Sequence, residues 1–90
     1  MTKEEIQSEI RRVVDMTERL LLVRPNDEDL LGAKKGLDRV WERVSRNWPL
    51  PPEDRKQINM GLYAVRALDG GPYGELPNAL MTLDAHLKKG

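Results

Sequence analysis

His86 and Asp84 come nearest to acid–base or metal chemistry in this chain, because an imidazole two residues from a carboxylate offers a proton carrier beside a charge. A metal site needs three or four ligands and a second layer of hydrogen bonds to hold them. No HxxxH, HExxH or ExxH pattern accompanies this histidine, the only one in 90 residues, and there is no cysteine. His86 therefore reads as a surface histidine near a helix end, and no metal is expected. Ser8 and Ser45 fall inside helical patterns with no base nearby and no GxSxG elbow. Gly70-Gly71-Pro72-Tyr73-Gly74 lacks the Lys-Ser/Thr and the preceding strand of a phosphate loop, and it reads as a turn. No catalytic residue and no cofactor are assigned, so the chain is expected not to be an enzyme.

The remaining chemistry is that of contact. Met16, Leu22 and Val23 fall off the main apolar stripe of the first helical pattern, and Met60 and Tyr63 fall off that of the third. This apolar surface exceeds what one internal face needs. Interfaces favour aromatic residues, Met and Arg at their centres, which makes Trp41, Trp48, Tyr63 and Tyr73 anchors wherever they are exposed. The plain alternative is that both tryptophans fill the core of a chain without Phe. Trp41 is assigned to the core, whereas Trp48, beside a proline loop, fits either role. Carboxylates gather in the N-terminal half: Glu4, Glu5, Glu9, Asp15, Glu18, then Asp27, Glu28 and Asp29. Most such runs are merely solvated, with Arg11, Arg12 and Arg19 able to pair across a turn for about 0.3–0.5 kcal/mol each. The same charges could steer association with a basic cleft. Met60, Tyr63, Asp27, Glu28, Asp29 and Trp48 are the candidate partner contacts.

Composition excludes several function classes. Fifteen Lys and Arg balance fifteen Asp and Glu, whereas nucleic-acid binding draws on a surplus of cations, so no nucleic-acid partner is expected. The chain has neither a secretory h-region nor an apolar run near 20 residues. A cytoplasmic location without membrane contact is expected.

Four helices must position these residues. Thr2 with Glu5 three residues later forms the pattern of a capping box, and Ile6, Ile10, Val13, Val14, Thr17, Leu20 and Leu21 make a stripe that Arg24-Pro25 ends. Asn26 is placed to cap the second helix, with Asp27, Glu28 and Asp29 against its positive end. Leu30, Ala33, Leu37, Val40, Trp41, Val44 and Trp48 form its stripe, stopped by Pro49, Pro51 and Pro52. Gly32 and Gly36, four apart, form a smooth spot suited to close approach by another backbone. In the third helix Ile58, Gly61, Leu62, Val65 and Leu68 share a face, which puts Leu62 in the core; Gly70 and Gly71 end it. Leu76, Leu80, Leu83 and Leu87 line the last helix, with Pro77 in its first turn. The spacing predicts helices over 3–23, 27–47, 53–69 and 75–88 in one all-α, mostly antiparallel four-helix bundle-like domain.

Met60-Gly61-Leu62-Tyr63-Ala64-Val65-Arg66-Ala67-Leu68-Asp69 through Glu75-Leu76 resembles a family of small bacterial immunity proteins that guard against type VI secretion toxins. Met16-Thr17-Glu18-Arg19-Leu20-Leu21 before a proline, and Asp29-Leu30-Leu31-Gly32-Ala33-Lys34-Lys35, extend the likeness loosely over most of the chain. The turn, with two glycines and Tyr73, departs from the family's acidic aspartate-proline-glutamate form. The resemblance implies a non-enzymatic inhibitor that binds a cognate toxin domain in the cytosol and occludes its active site, the toxins being typically NAD(P)+ glycohydrolases. From a different class, the smooth spot at Gly32 and Gly36 suggests a self-associating structural or regulatory module, a homodimer with no toxin partner.

Overall fold

The computed structural model describes residues 1–89 and is all-α. Helix α1 spans Lys3–Val23, α2 Glu28–Arg46, α3 Pro52–Gln57, α4 Met60–Tyr63 and α5 Leu76–Lys89. The α1 start is the expected capping box: Thr2 N–H donates to Glu5 Oε1 at 2.8 Å and Glu5 N–H to Thr2 Oγ1 at 3.1 Å. Each bond satisfies an amide that the helix leaves free. Helix α2 is capped by Asp27 rather than Asn26, with Oδ1 accepting from the amides of Asp29 (2.9 Å) and Leu30 (3.2 Å).

Helices α1 and α2 pack antiparallel. Lys3 Nζ reaches Ser45 O at 2.8 Å, and Trp48 Nε1 reaches Met1 O at 2.9 Å, so the end of α2 is fastened to the start of α1. Ile6, Ile10 and Val13 meet Leu30, Leu37 and Val44, and Leu76, Leu80, Leu83 and Leu87 of α5 close the core, all at 1% exposure or less. Each such leucine or isoleucine stabilises the fold by about 1.5–3 kcal/mol through burial.

The third predicted helix is two pieces. Helix α3 ends at Ile58, which is extended (ψ 122), and Asn59 (φ −135, ψ 28) restarts the chain as α4. A turn of α4 runs directly into a π-helical segment, Ala64–Leu68, in which Asp69 N–H reaches back to Ala64 O at 2.8 Å. The break resets the helical phase. Met60, Ala64 and Leu68 now point into the core, while Leu62 is 50% and Val65 52% exposed, so the assignment of Leu62 to an inner stripe is overturned. Asp84 of α5 holds this orientation: its Oδ2 accepts the Gly61 amide at 2.9 Å, and Lys88 Nζ balances its Oδ1 at 2.9 Å. Gly70 (φ +78) then supplies the left-handed residue that turns the chain toward α5.

Candidate contact surface

The candidate contact residues do not form one site. Met60, expected on the surface, is 7% exposed and belongs to the core, because the Ile58–Asn59 break turns it inward. Asp27 has structural work, capping α2 with Oδ1 while Oδ2 accepts the Tyr73 hydroxyl at 2.7 Å. That hydroxyl, with the Leu30 and Asp29 amides behind it, holds the Asp27 carboxyl below its usual value, and Tyr73 is pushed up to about 12, first by the same bond and then by burial. Tyr73 is buried in the core rather than an exposed anchor. Glu28 and Asp29 remain exposed. Trp48 is half-buried, its ring against the core and its indole N–H on Met1 O. Trp41 is also half-buried, with the Arg11 guanidinium 4.8 Å from its ring centroid.

Two residues read as surface features are joined in a part-buried pair. Glu9, expected among the exterior carboxylates, is 7% exposed, and its Oε1 lies 2.7 Å from His86 Nδ1. The pair bridges α1 and α5. Their separation of 77 positions hid it from any pattern of local spacing. Glu9 does fall three residues from Ile6 and one from Ile10, which was the available signal.

Tyr63 lies between α4 and α2. Its hydroxyl donates to Asp29 O at 2.6 Å and covers Gly32, where a Cβ would collide with the Tyr63 Oη. Burial, then the nearby charges of Asp29 and Asp27, raise its pKa. Gly32 is thus not free for another chain, and the expected smooth spot shrinks to Gly36. Nothing lies within 4 Å of the place a Gly36 Cβ would take. Glycine there costs the helix about 1 kcal/mol relative to Ala with no packing reason in return.

Gly36 floors a groove between α2 and α4 with a volume of ≈ 290 Å³. Ala33, Met60, Leu80 and Tyr63 give it apolar walls, and Lys35, Arg39 and Asn59 edge it. A second hollow of ≈ 190 Å³ shares Gly36, Arg39, Asn59 and Met60 and continues toward Arg43 and Gln57. Among the described residues Lys35 and Arg39 make no ion pair, whereas Arg43 lies 3.7 Å from Asp54. Two like charges one turn apart oppose the helix by about 0.2–0.5 kcal/mol. Both hollows lie beside the break after α3, with Asn59 and Met60 lining each and Ile58 the second.

The apolar surplus expected on the surface is present, though on different residues of α4. Leu22 (84% exposed) and Val23 (79%) end α1 facing solvent, and Leu62 and Val65 project from the outer side of α4 and its continuation. Among the described residues no group of three or more His, Cys, Asp or Glu could hold a metal, and no helix is long and apolar enough to cross a membrane. None of the protein families, curated proteins or solved structures compared with the chain matches it.

Proposed function

We propose that this chain is a non-enzymatic inhibitor: a cytoplasmic immunity protein that binds a cognate secreted toxin domain, of the NAD(P)+ glycohydrolase type, and occludes its active site. The observation that carries the contact reading is the outward set Leu22, Val23, Leu62 and Val65, large aliphatic side chains between 50% and 84% exposed on a small chain. Their exposure has no role in the fold, and burial of either pair, Leu22 with Val23 or Leu62 with Val65, against a partner would remove it from water. The exposed carboxylates of Glu28 and Asp29 are available as a charged rim. The glycohydrolase partner is supplied by the family resemblance in α1, α2 and α4. Other carboxylates are committed to the scaffold: Asp84 to Gly61 and Lys88, Asp27 to the α2 cap, Glu9 to His86.

The test is protection. An NAD(P)+ glycohydrolase-type toxin domain sought among the genes neighbouring this chain's is expressed in a host cell with and without the chain, and growth and cellular NAD+ are followed. The expected result is retained NAD+ and growth with the chain present, together with a stable complex on size-exclusion chromatography. NAD+ depletion that proceeds unchanged would end the proposal. Self-association through Gly32 and Gly36 is less well supported, since Tyr63 already covers Gly32.

A further inference from the structure

Lys35, Gly36 and Arg39 bring two separate oddities to one place on α2. Gly36 lies within the unbroken helix, yet nothing lies within 4 Å of the place its Cβ would take, so alanine would fit without contact. Lys35 and Arg39, one turn apart, face the same groove without a carboxylate partner among the described residues. No Asp or Glu lines either hollow. Asn59 edges both hollows, and its side chain makes no cap bond to α4.

We propose that the α2/α4 groove binds a small amphipathic anion, an aromatic or aliphatic carboxylate or sulfonate. Its apolar body lies over Gly36 against Met60, Leu80 and Tyr63, and its head meets Lys35 and Arg39. The groove is mostly apolar, with a few convergent polar groups, and its ≈ 290 Å³ is near the lower end of ligand pockets. An anion would neutralise the like-charge pair, and the missing Cβ at Gly36 is what leaves room for the body. Tyr63, fixed by its bond to Asp29 O, closes one end. The other end opens past Arg39 toward Arg43, whose guanidinium Asp54 already occupies. The head is therefore placed at Lys35 and Arg39. This inference is independent of the toxin reading and stands or falls separately.

The experiment uses the full chain and two matched fluorophores, anilinonaphthalene sulfonate and the uncharged N-phenylnaphthylamine. The sulfonate is expected to bind the native protein saturably with one site, moving the amide resonances of Gly36, Arg39 and Asn59. The uncharged analogue should bind roughly tenfold more weakly, as should Lys35→Glu and Arg39→Glu, the loss expected from one hydrogen bond to a charged group. Gly36→Leu should abolish the site while circular dichroism shows the helices intact, and Gly36→Ala, if Leu disturbs the fold, should weaken it. Three results would overturn the proposal: fluorescence that never saturates, equal affinity for the uncharged analogue, or affinity unchanged in both the Gly36 and Arg39 variants. Sulfonate binding lost in Leu62→Ser but kept in Gly36→Leu would also overturn it, assigning the dye to the outer side of α4. A groove that takes no small anion, yet whose Gly36→Leu variant no longer binds the toxin domain, would overturn it in favour of a protein segment.

Discussion

Tyr73 and Asp27 tie the turn after the π-helical segment to the start of α2 through one hydroxyl–carboxylate bond of 2.7 Å. The bond strengthens when Asp27 is ionised and needs Tyr73 protonated. Asp27, whose folded pKa is lowered, contributes stability above its unfolded value near 3.8 that is lost as pH falls through the folded value. Tyr73, raised from 10 to about 12, contributes stability below pH 10 that is lost as pH rises toward 12. Tyr73→Phe should therefore lower the melting temperature at neutral pH, with the gap to the parent closing in acid; a gap constant from neutral pH to pH 2 would mean that the carboxylate charge has no part in it. Glu9 and His86 give a second prediction at this scale. One Glu9 oxygen, Oε2, has no hydrogen-bond partner among the described residues, and the other relies on His86. His86→Ala should destabilise by about 1–3 kcal/mol by leaving a buried carboxylate unsatisfied, whereas Glu9→Met should be near neutral or stabilising. Urea titration of both variants would check this, and the reverse order would refute it.

Helix α4 carries the main lesson about what periodicity can reveal. Where a helix is long, as in α1, α2 and α5, the three-and-four spacing of apolar residues marks the buried face, because each turn repeats the same vote. Leu37 is accordingly fully buried, and Leu37→Ala should cost about 2–5 kcal/mol. Over 53–69 the spacing supports two phases, and one extended residue at Ile58 decides between them. Leu62→Ala should cost less than about 0.5 kcal/mol, since half its surface is in water. Asn59, a poor interior helix residue after β-branched Ile58, was the local signal for the break. Its direction follows from Asp84 accepting the Gly61 amide, a contact 23 positions away that no local pattern contains. The glycines on α2 separate in the same way. Gly36→Ala should raise stability by about 1 kcal/mol, while Gly32→Ala should lower it by displacing the Tyr63 hydroxyl, both read by chemical denaturation. Equal effects at the two positions would mean that Tyr63 does not occupy the place over Gly32.

At the scale of the whole molecule, residues free for a partner are distinguished from those the fold consumes. Of the off-stripe apolar residues on helices one and three, Leu22 and Val23 are exposed as expected, but Met16 and Tyr63 are half-buried against the core, Met60 lies within it, and Leu62 and Val65 take the outer position. Reversing Asp27 would unfold the α2 cap as well as change the charge, so it cannot report on docking. Glu28 and Asp29, exposed at the same helix end, can. The toxin reading then makes a kinetic prediction with two separable arms. Leu62→Ser with Val65→Ser removes apolar area from the contact without touching the core, so it should chiefly speed dissociation. Glu28→Lys with Asp29→Lys alters long-range attraction in a chain of balanced charge, so it should chiefly slow association and reduce its salt dependence. Surface plasmon resonance with the toxin domain at two salt concentrations measures both rates. If dissociation is unchanged in the serine pair while melting temperatures stay at the parent's, the outer side of α4 is not the contact, and Leu22 and Val23 at the end of α1 become the pair to replace next.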